Sequence, residues 1–208
     1  MPTRATPRRD QLFDDLVDLL LAEGFAHLTL DEIAARLHCS KRTLYALAGS
    51  KEQLVRRAVV HFFRGATERV EQAVARAAGA AERVGDYLGA VATELAPASA
   101  RFFDDVAAFP PAAEVYQRNT EAAAHRVREL VDEGVAAGAF RDVPAAFVAE
   151  VVSGVMVRIQ QRQLAAALGL SDADAYANLA ELLLHGLAVP AAVPPGAGWQ
   201  RYQRQTCR

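Results

Sequence analysis

Apolar residues along this chain recur every three or four positions, which is the spacing of an amphipathic α-helix. The first such stripe follows Thr6-Pro7, because proline is favoured at the first position of a helix, and it ends at Gly24. Its members are Leu12, Phe13, Leu16, Val17 and Leu20. The strict alternation of apolar and polar residues that marks a half-buried strand is scarce. The pattern therefore predicts an all-α protein.

A capping signal opens the second helix shortly after Gly24. Thr29 and Glu32 have the spacing of a capping box, in which each side chain bonds a backbone amide at the start of a helix. The inner face of this helix consists of Leu30, Ile33, Ala34 and Leu37. The helix has to end near His38, because Ser40 is a strong N-cap for another start. The turn between the two helices is thus very short.

The third helix is short and carries positive charge on its outer side. It runs from Lys41 to about Leu47 and stops at Gly49. Residues 50–53, Ser-Lys-Glu-Gln, have the spacing of a second capping box, which starts a long helix ending around Gly79. We expect this long helix to join an N-terminal head to the rest of the chain.

The rest of the chain reads as five further helices, separated by prolines and by Asp or Ser caps. They cover residues 82–96, 99–109, 112–137, 144–168 and 172–187. The last two carry apolar stripes wider than the surface helix of a monomer needs, which indicates burial against a second copy. These stripes are Val148, Val151, Val152, Val155 and Ile159, then Leu179, Leu182, Leu183 and Leu187.

The predicted organisation is therefore a three-helix head, a helical body and a tail, with about nine helices in all. The head covers residues 7–50, the body residues 51–188 and the tail residues 189–208. The tail is rich in proline and glycine and then in Arg and Gln, so it is predicted to be flexible. An arm that touches DNA or a partner subunit through Arg201 and Arg204 is the alternative.

Composition and charge exclude few classes of protein. The net charge of −2 excludes a generally basic nucleic-acid-binding coat. Residues 1–64 nevertheless hold ten Lys and Arg against eight Asp and Glu, so this N-terminal stretch is slightly basic and the remainder of the chain is acidic. Several of these cations lie at predicted helix starts, where backbone N–H groups also favour phosphate oxygens.

Cysteine usage and hydropathy point to a cytoplasmic protein. The two cysteines, Cys39 and Cys207, are far apart, which fits a reduced compartment better than a disulfide framework. The basic start of the chain is followed by Asp14, Asp15 and Asp18, so we expect no signal peptide. Every long apolar segment is interrupted well before the ~20 residues that a membrane-spanning helix needs.

Residues 24–54 contain the helix caps and helix starts described above, in a specific order and with specific spacings. They combine Gly-Phe, the Thr-Leu-Asp-Glu-Ile-Ala capping box, a Ser-Lys-Arg-Thr-Leu-Tyr helix start and Ser-Lys-Glu-Gln-Leu. In this combination the chain resembles the tetracycline-repressor (TetR) family of transcriptional regulators. The resemblance implies a helix-turn-helix DNA-binding domain and a C-terminal domain for ligand binding and dimerisation.

Two positions depart from the family pattern. His38 stands in the turn where the family usually has glycine, so it has to adopt a left-handed conformation or reshape the turn. Ala48 replaces an aromatic residue near the end of the third helix, which removes core contacts that Leu47 partly restores.

The resemblance also assigns the residues that contact DNA. In a helix-turn-helix the second helix lies in the major groove, so its outward side chains near the N-terminus touch bases while their neighbours hold phosphates. Arg42 is predicted to read guanine and Thr43 a thymine methyl or a phosphate, and Tyr45 resembles the family's phosphate-contacting tyrosine. The full predicted set is Thr29, Ser40, Lys41, Arg42, Thr43, Tyr45 and Lys51. The alternative is that Lys41 and Arg42 merely solvate a short helix.

The resemblance implies in addition that the body binds a small effector that alters DNA affinity. Aromatic and polar residues of the body helices are the candidates for that site, although aromatics at helical spacing also serve as plain core. The predicted set is Tyr87, Phe102, Phe103, Phe109, Tyr116, Asn119, Met156 and Gln160, with Arg126 as a further polar candidate.

No constellation for catalysis is visible. Glu121 and His125, like Glu181 and His185, are four positions apart, but exposed pairs of this kind are common on helices. The zinc pattern His-Glu-x-x-His, glycine-rich phosphate loops and nucleophile elbows are all missing. We therefore expect neither an enzyme, nor a metal, nor a cofactor.

The sequence thus predicts a homodimeric repressor that binds a near-palindromic operator on double-stranded DNA and is released by a small-molecule effector. The alternative is a helical ligand-binding protein of the same fold with an impaired DNA-binding head. The steepness of the salt dependence of DNA binding separates the two hypotheses.

Overall fold

A computed structural model describes residues 7–188 of the chain, with side chains from residue 10 onward. Within this range the chain folds into ten α-helices without a β-strand. They are α1 (Pro7–Glu23), α2 (Leu30–Arg36), α3 (Lys41–Leu47), α4 (Lys51–Arg76), α5 (Ala80–Leu95), α6 (Ala100–Ala108), α7 (Pro110–Ala136), α8 (Ala145–Gln160), α9 (Gln163–Leu168) and α10 (Asp172–Leu187). The all-α prediction is confirmed.

The predicted signals set the boundaries of the first helices. Gly24 ends α1 with a φ of +75°, a conformation that a side chain would strain. The capping box at α2 is complete, because the Thr29 hydroxyl accepts from the Glu32 amide at 3.2 Å and the Glu32 carboxylate accepts from the Thr29 amide at 2.7 Å. The lengths of α1, α2 and α3 therefore follow from local sequence.

The cap of α4 differs from the predicted one. The Ser50 hydroxyl accepts from the Gln53 amide at 3.2 Å, as expected. The side chain of Gln53, however, accepts from the amide of Gly49 at 3.1 Å rather than from that of Ser50. The reciprocal bond thus reaches one residue further back than in a capping box. It ties Gly49, in the link between α3 and α4, to the first turn of α4.

The turn between α2 and α3 is left-handed at His38. Its φ is +49°, a region that histidine tolerates better than a β-branched residue does. The next residue closes the turn, since the Cys39 amide donates to the Ala34 carbonyl at 2.9 Å. Of the two outcomes expected for a non-glycine turn, the structure has the left-handed one.

One continuous apolar core runs through the head and the body, from Leu16 to Leu187. In the body α4 packs against α5 and α7, α5 also packs against α10, and α7 also packs against α8. The short helix α6 lies against both α7 and α1, so it connects the body to the head. This arrangement surrounds a cavity between α4, α5 and α7.

The predicted single helix over residues 144–168 is wrong, because it is broken after Gln160. Arg162 adopts a left-handed conformation with a φ of +61°, and a separate helix α9 begins after it. The side chain of Arg162 pairs with Asp104 and with Asp172, and its guanidinium lies 5.6 Å from the centre of the Phe103 ring. These contacts hold the backbone at Arg162 in a conformation that a continuous helix does not allow.

Most of the two apolar stripes that were expected to face a second copy belongs to the core of the chain itself. Val148, Val152 and Ile159 on α8 and Leu179, Leu183 and Leu187 on α10 are buried. The large apolar residues that remain exposed on these helices are Phe147 (67%), Val151 (46%), Val157 (36%) and Leu182 (72%). In α8 Phe147 and Val151 are four residues apart, so they lie on one face.

None of the helices within residues 7–188 is both long enough and apolar enough to span a membrane. The predicted flexible tail, residues 189–208 with Arg201 and Arg204, lies outside the described residues.

Candidate nucleic-acid interface and ligand cavity

The outer face of α3 presents the side chains that the sequence assigned to DNA. Leu44 and Leu47 point into the core and fix the rotation of the helix. The opposite side therefore exposes Lys41, Arg42, Thr43 and Tyr45. Tyr45 is 49% exposed, so its ring and hydroxyl are accessible from outside the head.

The start of α3 is closed by Ser40. Its hydroxyl accepts a hydrogen bond from the Thr43 amide at 3.1 Å and lies 2.8 Å from the Thr43 hydroxyl. Ser40 thereby satisfies one of the amides that an α-helix leaves without a partner. The remaining amides of this first turn and the exposed side chains beside them suit a phosphate group.

The three cations predicted to contact DNA have different surroundings. Lys41 donates to the Asp31 carboxylate at 2.8 Å, and this hydrogen bond raises the pKa of the lysine. Lys51 donates to the backbone carbonyl of Ala26 at 3.0 Å. Arg42 forms no ion pair with any side chain of residues 10–188, so its guanidinium is the available one on α3.

The long helix α4 holds the head at two points. Lys51, at its first position, binds the Ala26 carbonyl in the link between α1 and α2. One turn and a half later the guanidinium of Arg57 donates to the carbonyl of Leu47, the last residue of α3. Both contacts bind carbonyl groups that no helix hydrogen bond satisfies, so they fix α4 to the head.

A cavity of about 250 Å³ lies in the body between α4, α5 and α7. Its walls are formed mainly by apolar and aromatic side chains, and it opens between α4 and α7, where Thr67, His125 and Glu129 are exposed. Concave sites with a few polar groups among apolar walls are typical of small-molecule binding.

Four of the eight residues predicted for an effector site line this cavity, namely Tyr87, Tyr116, Asn119 and Met156. The other four, Phe102, Phe103, Phe109 and Gln160, lie outside its wall. Phe102 packs edge-on against Phe25 and Phe62, and Phe109 packs edge-on against Phe25, so these rings fill the junction between head and body. Phe103 lies beneath Arg162.

The sequence did not assign the other residues of the wall, apart from Arg126, to an effector site. They are Phe63, Ala66, Thr67, Val70 and Glu71 on α4, Val91, Glu94 and Leu95 on α5, Thr120, Ala122, Ala123, His125 and Glu129 on α7, and Tyr176 on α10. Glu71 and Glu94 lie next to buried apolar residues on their helices. An acidic residue at such a position is unusual, and this is the sequence signal by which the two residues could have been found.

A chain of charges crosses the mouth of the cavity. The guanidinium of Arg126 on α7 binds Glu71 on α4 at 3.1 Å and Glu129 on its own helix at 2.9 Å. On the other side Arg69 binds Glu94 on α5 through two hydrogen bonds, at 2.8 and 2.6 Å. These pairs connect the three helices that form the cavity.

A buried polar cluster lies behind the inner wall. The hydroxyl of Tyr116 donates to the Asp172 carboxylate at 3.5 Å, and that carboxylate also pairs with Arg162. Burial raises the pKa of Asp172 to about 6, although the neighbouring arginine opposes the shift. Burial likewise raises the pKa values of the Tyr116 and Tyr176 hydroxyls.

The acid and imidazole pairs noted in the sequence form no larger cluster. His125 lies 3.3 Å from Glu129 rather than beside Glu121, and His185 lies 3.5 Å from Glu181. Throughout the described part of the chain no three His, Cys, Asp or Glu side chains are placed to hold a metal ion.

Residues 12–58 match the family model described as bacterial regulatory proteins, tetR family. This stretch contains the whole of α2 and α3 and the first part of α4, which is the part of the chain with the exposed cationic helix. No curated protein sequence matches the chain.

Several solved structures share the fold. A putative transcriptional regulator from Saccharomonospora viridis in complex with choline is 16% identical, with a TM-score of 0.69 over 88% of this chain and 100% of that one. A regulator of the TetR/AcrR family from Thermobifida fusca is 22% identical, with a TM-score of 0.61 over 87% and 98%. FadR from Bacillus subtilis in complex with stearoyl-CoA is 14% identical, with a TM-score of 0.61 over 85% and 98%.

Proposed function

Because residues 12–58 place this chain in the tetR family of bacterial regulatory proteins, it is a DNA-binding regulator of transcription, and we propose that it is a cytoplasmic repressor released by a small effector. The observation that carries this proposal is the exposed face of α3, which lies inside the matched residues and offers an unpaired arginine among residues 10–188.

Arg42 is the residue we assign to base recognition. Its guanidinium projects from the first turn of α3, and an arginine there reaches the O6 and N7 atoms of guanine in the major groove. Thr43 and Tyr45 lie beside it on the exposed surface and are assigned to phosphate or thymine contacts.

The other residues predicted to contact DNA already form hydrogen bonds within the protein, and DNA binding has to replace or keep these bonds. Lys41 has to exchange the Asp31 carboxylate for a phosphate, a change between two charge-assisted bonds. Thr29 and Ser40 are assigned to phosphate contacts at the starts of α2 and α3, where their hydroxyls also serve as caps. Lys51 is assigned to hold the α1–α2 link, through the Ala26 carbonyl, against the same phosphate backbone.

A homodimer fits the exposed apolar residues of α8 and α10. Phe147 and Val151 on α8 and Leu182 on α10 are large, apolar and exposed, and α8 and α10 pack against each other. An isologous contact between two copies buries such residues and places two heads about a two-fold axis. The heads then meet half-sites roughly one helical turn apart, ~34 Å, on a near-palindromic operator.

The cavity between α4, α5 and α7 is the proposed effector site. Its wall includes α4, whose first turns hold the head through Lys51 and Arg57, so a ligand that shifts α4 also shifts the head. The ligands of the solved neighbours are as different as choline and stearoyl-CoA, so they do not identify the effector of this chain.

The proposal is tested by selecting bound sequences from random DNA with the full-length protein. We expect a near-palindromic site, and an affinity for it that falls steeply as salt rises, because lysine and arginine contacts release counterions. Arg42→Ala should remove the sequence preference, with an affinity loss of roughly 10-fold or more for the selected site. Arg64→Ala removes an equal charge from the exposed surface of α4 and serves as the matched control.

Absent or salt-insensitive binding contradicts the proposal. It would instead favour a ligand-binding protein of the same fold with an impaired head, for which the engagement of Lys41 by Asp31 and of Lys51 by Ala26 is the supporting observation.

A further inference from the structure

The charges that line the cavity are predominantly negative. Glu71, Glu94 and Glu129 contribute carboxylates to the wall, whereas Arg126 contributes the one guanidinium among the described lining residues. If Arg69, which neutralises Glu94 from outside the cavity, is counted as well, one carboxylate remains in excess. An anionic ligand therefore enters an unfavourable potential, and a cationic ligand a favourable one.

The one guanidinium of the described wall is also already engaged by carboxylates. Arg126 binds Glu71 at 3.1 Å and Glu129 at 2.9 Å, and a third carboxylate, on Glu133, lies 3.9 Å away. A carboxylate or phosphate of a ligand would have to displace one of these partners, and the displaced group would remain nearby as a like charge. The site is therefore not built as an anion anchor.

Tyr87 supplies a polar group that lacks a partner in the described part of the chain. The residue is only 6% exposed, yet no atom of residues 10–188 accepts from or donates to its hydroxyl. No fully enclosed side-chain polar atom among these residues lacks a hydrogen bond, so the Tyr87 hydroxyl must face the open space of the cavity. Burial raises its pKa, and the nearby Glu71 carboxylate adds to the shift.

The remaining wall suits an apolar body and the face of a cation. Phe63 and Tyr116 stack with their ring centres 5.2 Å apart, and Tyr87, Tyr176 and Met156 complete an aromatic and apolar lining. Aromatic faces attract organic cations, most strongly where water is excluded.

From these observations we propose that the cavity binds a compact organic cation, a protonated amine carried on an apolar, preferably aromatic body. The ammonium group lies between the Tyr87 hydroxyl and the Glu71 carboxylate, and the body lies against Phe63 and Tyr116. The volume of about 250 Å³ is below the roughly 300–1,000 Å³ of pockets for drug-sized ligands, so the ligand has on the order of ten non-hydrogen atoms. This inference rests on the proposed role of the cavity as the effector site.

The experiment compares three probes of one shape and different charge, 3-phenylpropylamine, 3-phenyl-1-propanol and 3-phenylpropanoate. Each is titrated into the full-length protein by calorimetry at pH 8. We expect one site per chain and an affinity for the amine about 10-fold or more above that for the alcohol, with the carboxylate weakest.

Two charge variants on α4 locate the cation. Glu71→Gln should weaken binding of the amine by about 5-fold or more and leave the alcohol within about 2-fold. Glu68→Gln makes the same charge change on the same helix, but Glu68 is 62% exposed, pairs with Arg64 and lies outside the cavity wall. It should leave all three affinities unchanged.

Any of three results overturns the inference: a carboxylate that binds as tightly as the amine, equal effects of the Glu71 and Glu68 variants, or no binding of any probe at millimolar concentration. DNA binding by the unliganded protein is measured in parallel. A protein that binds the amine but no DNA refutes the proposed function alone, and one that binds its operator but prefers the carboxylate refutes the ligand class alone.

Discussion

Asp105 on α6 accepts a hydrogen bond from the backbone amide of Phe25, with 2.5 Å between the carboxylate oxygen and the nitrogen. The same oxygen accepts from the amide of Ala26 at 2.8 Å. A Cβ atom at Gly24 would lie 2.6 Å from this oxygen, so glycine is required there for space as well as for its positive φ. One carboxylate of the body thus binds the link between the first two helices of the head.

Replacing Asp105 with alanine should loosen this junction. Both amides lose their acceptor, and the one of Phe25 is partly buried, so we expect the free energy of unfolding to fall by about 1–3 kcal/mol. Hydrogen exchange measured by NMR should become faster at Phe25 and Ala26. Asp104→Ala is the matched control, because Asp104 is the neighbouring acid on α6 but pairs with Arg162. Equal exchange in both variants would contradict the assignment.

Two glycines in helices should respond to alanine in opposite directions. A Cβ at Gly134 on α7 would lie 2.1 Å from the ring of Phe140, so Gly134→Ala should reduce the free energy of unfolding by about 1–3 kcal/mol. At Gly89 on α5 no atom beyond the adjoining backbone of its own helix lies within 4 Å of the added Cβ, so Gly89→Ala should raise the free energy of unfolding by up to about 1 kcal/mol through helix propensity.

Urea denaturation of the two glycine variants at one protein concentration checks both effects, because subunit association also contributes to apparent stability. A stabilised Gly134→Ala variant would show that Phe140 is not held against α7 as the structure has it.

The buried acid Asp172 should give stability an unusual dependence on pH. Its pKa is raised from 3.8 to about 6, so the folded chain holds this proton more tightly than the unfolded chain does. Its contribution to stability is therefore complete below about pH 4 and is lost as the pH rises through about 6. Asp172→Asn mimics the protonated form, so it should not lose this stability. The free energy of unfolding of the variant minus that of the wild type should therefore rise by on the order of 2 kcal/mol between pH 4.5 and 7.5.

Denaturant titrations at the two pH values measure this difference. Asp104→Asn removes the other carboxylate that pairs with Arg162, one that is 65% exposed, and its difference from the wild type should not vary with pH in this way. A pH-independent gap between Asp172→Asn and the wild type would refute the argument.

The proposed dimer is tested at Leu182. Leu182 is 72% exposed on α10, and a glutamate there places a charge among the apolar residues of the proposed interface. We expect Leu182→Glu to be monomeric at micromolar concentration in sedimentation experiments and to bind the operator at least about 10-fold more weakly, since two linked heads bind cooperatively. Leu168→Glu changes an equally apolar residue, 64% exposed on α9, and should remain dimeric.

The head could be predicted from the sequence because its boundaries depend on local contacts. Thr29 and Glu32 are three residues apart, Ser40 caps the helix that begins at the next residue, and the left-handed turn at His38 follows from the shortness of the link. None of these features needs knowledge of a distant residue.

The break at Arg162 and the partners of the lysines could not be predicted in this way. Arg162 leaves the helix because of Asp104, 58 positions earlier, and Asp172, and Lys51 binds a carbonyl 25 positions away. Of the five aromatic residues predicted for the cavity, only Tyr87 and Tyr116 line its wall. Phe102, Phe103 and Phe109 have the same helical spacing as Tyr87 and Tyr116, and only the packing of α6 against α1 and α7 directs them elsewhere.

Because α4 is attached to the head at its N-terminal end, a tilt of the helix at the cavity displaces the head. About 16 residues, or ~24 Å, separate its grip on the head from the middle of the cavity wall, so a tilt of roughly 5° at the cavity carries the head end through about 2 Å. Lys51 binds the α1–α2 link and Arg57 binds the last residue of α3, so α3 moves together with the end of α4. If the cavity is the effector site, as proposed, a ligand with about ten non-hydrogen atoms that tilts α4 would therefore change the fit of α3 in a DNA groove.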